Sequence, residues 1–307
     1  MLPWFHIDPL TLVEAMSMHG RGGGLAAFAA MALSVMMAAP SASAAPPGEE
    51  ETHRDRILPI GADWARERGI DLPNPFGVSL FMVTMDRDIE VTDVRVTLPS
   101  REPVSVSDVA SFAVHNNTTL AALKLDAWIL PVLDVYVLLG GAYTDSRLDV
   151  AVTLDPILGP PVVLDLSQDA EVGGPLLGAG ATAVAGYGRW FILADANYNH
   201  TDLEALEGGI SAWFMSARTG WSGSTRRGTW RAWVGAAYLE TQRTLTIHEE
   251  SPALGTVVVE VDQRPVDPWT YQAGGSLGFG KRWEALIEAG SNFDDAFVGV
   301  FSAAFRF

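Results

Sequence analysis

Phe297-Val-Gly-Val-Phe-Ser-Ala-Ala-Phe-Arg-Phe307 closes the sequence with a period of two. One side carries Phe297, Gly299, Phe301, Ala303, Phe305 and Phe307. The other carries Val298, Val300, Ser302, Ala304 and Arg306. Successive side chains of a β-strand point to opposite faces, so this period predicts a strand with one aromatic face. In a water-soluble sandwich that face needs a cover. Phe307 is the last residue, and the expectation is that the face meets hydrocarbon instead.

Upstream segments repeat the pattern. Trp269, Tyr271, Ala273, Gly275, Leu277 and Phe279 oppose Thr270, Gln272, Gly274, Ser276 and Gly278. Trp283, Ala285, Ile287 and Ala289 oppose Glu284, Leu286 and Glu288; Leu123, Leu125, Ala127 and Ile129 oppose Lys124, Asp126 and Trp128. Segments of about 10 residues suffice to cross hydrocarbon at a tilt. Ten strands are expected, near 76–94, 118–130, 132–151, 175–187, 189–201, 210–221, 229–248, 268–280, 282–292 and 296–307. Short connections (130–131, 187–189, 222–228, 280–281) alternate with long ones (95–117, 152–174, 202–209, 249–267) and a brief one at 293–295. An even number of strands returns both ends to one side. Twelve strands, with a further hairpin within 98–117, is the alternative. Trp190, Trp221, Trp230, Trp283 and Phe307 flank the short turns, while Tyr143, Tyr198, Tyr238 and Trp269 lie toward the long loops. Two aromatic girdles at headgroup depth follow.

This layout resembles the outer-membrane β-barrels of Gram-negative bacteria, which end in a strand of alternating aromatics and a terminal Phe. Phe301, Phe305 and Phe307 match that ending. The resemblance implies an all-β fold: a closed antiparallel up-and-down transmembrane barrel in the bacterial outer membrane. Its surroundings would be outer-membrane lipid and lipopolysaccharide, and the barrel assembly machinery would read its C-terminal strand.

The N-terminus fits export. Residues 25–39 are an apolar block preceded by Arg21 and followed by Ala42-Ser43-Ala44, the pattern of a secretory signal cleaved near Ala44. Met16 or Met18 as the start would give a conventional basic region. The expected organisation is a signal peptide (1–44), a periplasmic lead-in (45–75) and a barrel (76–307). Ile60 to Gly69 has the pattern of a short amphipathic helix, ended by the prolines of 71–75.

The chain has no Cys, which removes disulfides, thiolate metal sites, Cys nucleophiles and a lipoprotein anchor together. A formal charge of −17 argues against nucleic acid as a partner. The loops and adjoining strand ends from Asp86 onward hold 23 acidic and 6 basic residues, the whole of that charge. Such a rim beside lipid phosphates would draw divalent cations. The short turns lean basic, with Arg189, Arg226, Arg227, Lys281 and Arg282.

Inward positions are expected to carry Lys124, Asp126, Asp134, Asp195, Arg218, Arg231, Glu284, Glu288 and Arg306, joined by Asn197 and Asn199. Unpaired charges are costly in a low-dielectric interior, and ten strands enclose little space, so a salt-bridged and mostly closed bore follows.

No G-x-S-x-G, H-E-x-x-H, P-loop or EF-hand pattern is present, and no cofactor or metal site is expected. Ten-stranded barrels include the omptin proteases, which use His and Asp near the outer rim. His200 with Asp202, and His248 with Glu249, stand at that height and could supply a general base; Asp145 and Asp149 rise from another strand. The omptin motifs themselves are absent. Lipid-modifying barrels need Ser and His together in the membrane plane, and the sequence shows no His beside Ser211 or Ser216. The expectation is therefore a non-enzymatic barrel for small-solute permeation or transport. A surface structural or adhesive barrel with acidic loops and a closed lumen is the alternative, and an omptin-like rim hydrolase the remaining one.

Overall fold

The computed structural model describes residues 58–67, 72–97, 104–105, 110–154, 162–202, 209–226, 228–251 and 255–307. The expected signal peptide lies outside these residues, as does Arg227.

After a helix α1 (Ala62–Glu67) come β1 (Phe76–Thr97), β2 (Val104–Ser105), β3 (Ala110–Leu130), β4 (Leu133–Leu154), β5 (Val162–Tyr187) and β6 (Trp190–Thr201). They are followed by β7 (Ile210–Thr225), β8 (Gly228–Ser251), β9 (Gly255–Pro265), β10 (Trp269–Phe279), β11 (Trp283–Ser291) and β12 (Ala296–Arg306). Ten of these strands form an antiparallel closed ring: β1, β3 to β8, and β10 to β12. The last strand closes on the first, from Gly77 opposite Arg306 to Arg87 opposite Ala296. Phe76 and Phe307 complete that seam by exchanging backbone hydrogen bonds of 3.3 and 3.0 Å. Closure leaves these strands no open edge across the wall.

The long connections differ from the sequence expectation. The segment 255–265 is a strand, β9, which pairs with the upper parts of both β8 and β1. β3 begins at Ala110 and β5 at Val162, so 110–117 and 162–174 are strand too. The cause is the ladder itself: pairing that begins within the wall continues beyond it, through a stretch of sequence (256–261) rich in residues of high β-propensity. Among the described residues the further long strand comes from 255–265. Of 98–117 the structure shows β2 paired to Arg95 and Val96, and the start of β3. Helix α1 starts at Ala62, two residues after the expected Ile60, and Ile60 ties the lead-in to the wall by donating its N–H to Ile129 at 2.9 Å.

Gly188 and Gly280 reverse the chain at the β5–β6 and β10–β11 turns with φ of +64°, a conformation that L side chains disfavour. The β11–β12 turn uses a side chain instead. Asn292 Oδ1 accepts hydrogen bonds from the backbone N–H groups of Asp294, Asp295 and Ala296 at 3.1, 3.1 and 2.8 Å.

Sidedness is inverted relative to a water-soluble protein. Outward Leu80, Leu123, Leu139, Ile192, Val234 and Ile287 are 38–62% exposed, while inward Asp126, Asp134, Gln272, Ser276 and Glu288 are buried. Apolar outside and polar inside is the arrangement of a wall facing hydrocarbon. Aromatic pairs border it. Phe76–Phe307, Trp190–Trp221 and Trp283–Phe305 lie beside the short turns. Tyr198–Trp213, Tyr238–Trp269 and Tyr271–Phe293 lie at the other end. Trp230 also stands beside a short turn, opposite Gly223. From Trp190 to Tyr198 along β6, a rise of ~3.3 Å per residue at ~40° of tilt separates the two belts by about 20 Å.

Candidate functional site: the ion-paired bore and the outer rim

Strand alternation and register bring the nine charged residues singled out in the sequence to the inner face, where each base meets an acid. Arg218 on β7 reaches past β8 and β10 to Glu288 on β11, donating from Nε and Nη2 to the two carboxylate oxygens at 2.7 and 2.9 Å. Trp233 Nε1 donates to the same carboxylate at 2.5 Å. Arg231 pairs with Glu284 at 2.6 Å across β10. Arg306 lies 2.9 Å from Asp126 across β1, close but without hydrogen-bond alignment. Lys124 lies 3.6 Å from Asp134 and rests over the Tyr136 ring at 4.0 Å.

Asp195 is the one inner acid of the nine paired through neutral groups. Tyr136 Oη donates to its two oxygens at 3.0 Å each, Thr182 Oγ1 at 2.6 Å and Asn197 Nδ2 at 3.2 Å. Asn199 donates onward to Asn197 Oδ1 at 2.6 Å. The polar strip legible in the sequence at 195–199 is thus one network, with Tyr136 of β4 as the member that sequence reasoning missed. Its even position on β4, in phase with Asp134, was the available signal.

These side chains lie flat along the wall because glycines floor their neighbours. A Cβ on Gly180 would sit 2.6 Å from Tyr136 Cζ, and one on Gly274 would sit 2.9 Å from the Trp233 indole. Large inner side chains therefore fold over the adjacent strand and reach their partners along chords of the ring. Tyr136, Trp233, Asp126, Asp134 and Glu288 are all under 9% exposed.

The outer rim carries two side-chain clusters on the outward face. On β1 and β3, His115 bridges Asp88 at 2.7 Å (Nδ1) and Asp86 at 3.2 Å (Nε2). The hydrogen bond to Asp88, with Asp86 adding its charge, raises the His115 pKa above the usual histidine value against a smaller opposing effect of burial. Asp145 and Glu171 face each other across β4 and β5 in the row that contains Asp86.

The second cluster corrects the sequence reading of Ser211. Hairpin β6–β7 pairs Thr201 with Ile210, which sets His200 directly opposite Ser211. Ser211 Oγ and His200 Nδ1 are 3.1 Å apart, and Tyr198 Oη donates to Ser211 Oγ at 2.9 Å. A His does stand beside Ser211; it was missed because the pairing depends on the loop length between the strands, not on local spacing. Asp202, expected as the His200 partner, instead caps the strand end through its backbone N–H, which donates to Pro175 at 3.0 Å. The side chains of His248, Glu249 and Asp149 lie outside the described residues. Among the described residues there is no group of three or more metal-ligating side chains.

No protein-family model and no curated protein matches the chain. Solved structures that resemble it include the outer membrane protein OprG from Pseudomonas aeruginosa, at 12% identity and TM-score 0.37, covering 77% of this chain and 98% of that one. The transport unit of the autotransporter AIDA-I from Escherichia coli aligns at 6% identity and TM-score 0.39, covering 82% and 100%. The translocator domain of the autotransporter NalP from Neisseria meningitidis aligns at 12% identity and TM-score 0.32, covering 80% and 96%.

Proposed function

We propose that the chain is an integral outer-membrane barrel whose bore is shut by ion-pair struts, so that its work is done by its wall and outer rim. The observation that carries this reading is the Arg218–Glu288 bidentate pair, which spans the bore rather than lining one strand. Around it the other three bases of the nine, Lys124, Arg231 and Arg306, each lie beside an inner acid. A wide aqueous pore would leave these groups hydrated. The inverted sidedness and the two aromatic belts support the membrane placement. The acidic outward row of Asp86, Asp145 and Glu171 stands just beyond the upper belt, where divalent cations would bridge it to the phosphates of lipopolysaccharide. Export through cleavage near Ala44, and recognition of Phe301, Phe305 and Phe307 by the assembly machinery, belong to the same reading.

Slow passage of small solutes is the second reading. It is favoured by the continuous polar strip of Tyr136, Asp195, Asn197 and Asn199 along one side of the bore. Single-channel recording on the folded protein in planar bilayers separates the two. The shut-bore reading expects no steady open level in the native chain and openings once Glu288→Ala removes the strut. A large, steady native conductance would favour permeation and overturn the shut bore.

A further inference from the structure

We propose that Ser211 and His200 form a nucleophile–base pair that cleaves the acyl esters of lipids in the outer leaflet. The inference goes beyond a shut-bore barrel and rests on that reading only for the placement of the outward face in a membrane.

The geometry supplies the elements of nucleophilic catalysis in order. Tyr198 Oη donates to Ser211 Oγ, so the proton of Oγ is left free to point at His200 Nδ1, 3.1 Å away. That distance is within the reach required of a general base. Tyr198 is held by its ring contact with Trp213, at 5.2 Å between centroids, and Trp213 shares the outward face. All three polar groups sit at exposed or half-buried outward positions, open to the surroundings of the barrel.

Depth selects the substrate. His200 lies two residues beyond Tyr198, about 5 Å further along the membrane normal than the upper aromatic belt. The belt itself sits at headgroup depth, and Ser211, hydrogen-bonded to Tyr198 of that belt, faces the lipid ester linkages from their headgroup side. Leu177, opposite His200 on β5, and Trp213 are 60% and 48% exposed and give acyl chains an apolar seat below the polar pair. A water-soluble ester has no reason to reach this face, whereas a lipid lies against it permanently.

The reaction balances without a co-reactant other than water. Ser211 Oγ bonds to the ester carbonyl carbon while His200 Nδ1 accepts the Oγ proton. The carbon–oxygen bond to the lipid breaks, and His200 returns the proton to the departing alcohol. Water then attacks acyl-Ser211, giving a proton to His200, which passes it back to Ser211 as the free fatty acid leaves. Ser211 and His200 are the catalytic residues and Tyr198 is a positioning residue. Among the described residues no carboxylate hydrogen-bonds His200, so the pair is a dyad and a slow turnover is expected.

The test uses the mature chain folded into vesicles, one arm containing diacyl glycerophospholipid and the other acylated lipopolysaccharide, with fatty acid release followed by mass spectrometry. Release is expected in at least one arm, which also identifies the source of the ester. Ser211→Ala should reduce it to the protein-free level, and His200→Gln by about 100-fold or more. Tyr198→Phe, which keeps the ring on Trp213, should lower kcat with KM unchanged. A fluorophosphonate probe should label Ser211 in the native chain and fail in His200→Gln. Protease protection and heat-resistant migration report insertion separately. A chain that inserts, releases no fatty acid in either arm and takes no label at Ser211 overturns the proposal alone. A chain that does not insert overturns the membrane placement as well.

Discussion

Glu288 receives Arg218 and Trp233 on one carboxylate, at 2.7 and 2.9 Å from the guanidinium and 2.5 Å from the indole. It joins β7, β8 and β11 inside a ring in which β10 separates the last two. One acid thus fixes both the charge of Arg218 and the orientation of the Trp233 indole.

Truncating that acid should be more damaging than removing the pair. Glu288→Ala strands a buried guanidinium and an indole N–H, a situation that costs about 3–5 kcal/mol. Replacing both partners in Arg218→Met/Glu288→Met leaves no orphan charge and should recover most of the loss. Urea unfolding in lipid vesicles measures both. Equal loss in the single and double variants would show that the pair is not coupled.

The division between what could and could not be read from sequence follows the range of the signal. A strand's two faces are a property of adjacent residues, so the alternation at 269–279 and 297–307 predicts the inner and outer sets directly. Which inner residue meets which is set by register between strands and by loop length, and neither has a local signature. The Arg218–Glu288 strut and the Ser211–His200 pair belong to that second class. Strand ends were misplaced for a related reason: the amphipathic pattern marks the part of a strand in contact with hydrocarbon, while the ladder of β3, β5 and β9 continues into water.

Gly180 should tolerate no side chain. A Cβ there would approach Tyr136 Cζ at 2.6 Å and the Ala196 carbonyl oxygen at 2.7 Å, and the second is backbone that cannot swing away. Outward Gly141 meets only a carbonyl at 3.5 Å. Gly180→Ala should destabilise the barrel by about 1–3 kcal/mol, and Gly141→Ala should be close to neutral. Comparable unfolding midpoints for the two variants would contradict the flat packing of Tyr136.

The β11–β12 turn makes a local prediction. Asn292 serves three backbone N–H groups, and Phe293 beside it holds a φ of 66° that disfavours non-glycine residues. Asn292→Ala removes the acceptor and should lower stability by about 1–2 kcal/mol. Asn292→Asp keeps an acceptor oxygen and should lose less. The urea midpoint in vesicles reads both, and an alanine variant with native stability would show that the turn is held by its strands alone.

His115 predicts a pH dependence at the outer rim. Its folded pKa is raised, first by the hydrogen bond to Asp88 and further by the charge of Asp86. A group whose folded pKa exceeds its unfolded value binds its proton more tightly in the folded state. Its stabilisation is therefore complete below the ordinary histidine value of about 6.5 and disappears as pH rises through the folded value. The His115 side chain is 45% exposed, so salt should weaken the effect. NMR titration of the His115 ring in micelles should give a midpoint above the ordinary one, and Asp88→Asn should bring it down. Raising pH from about 6 to 8 should cost the native chain more stability than it costs His115→Gln. A midpoint unmoved by Asp88→Asn would remove the bridge as the source, because Asp88 is the partner of Nδ1 among the described residues.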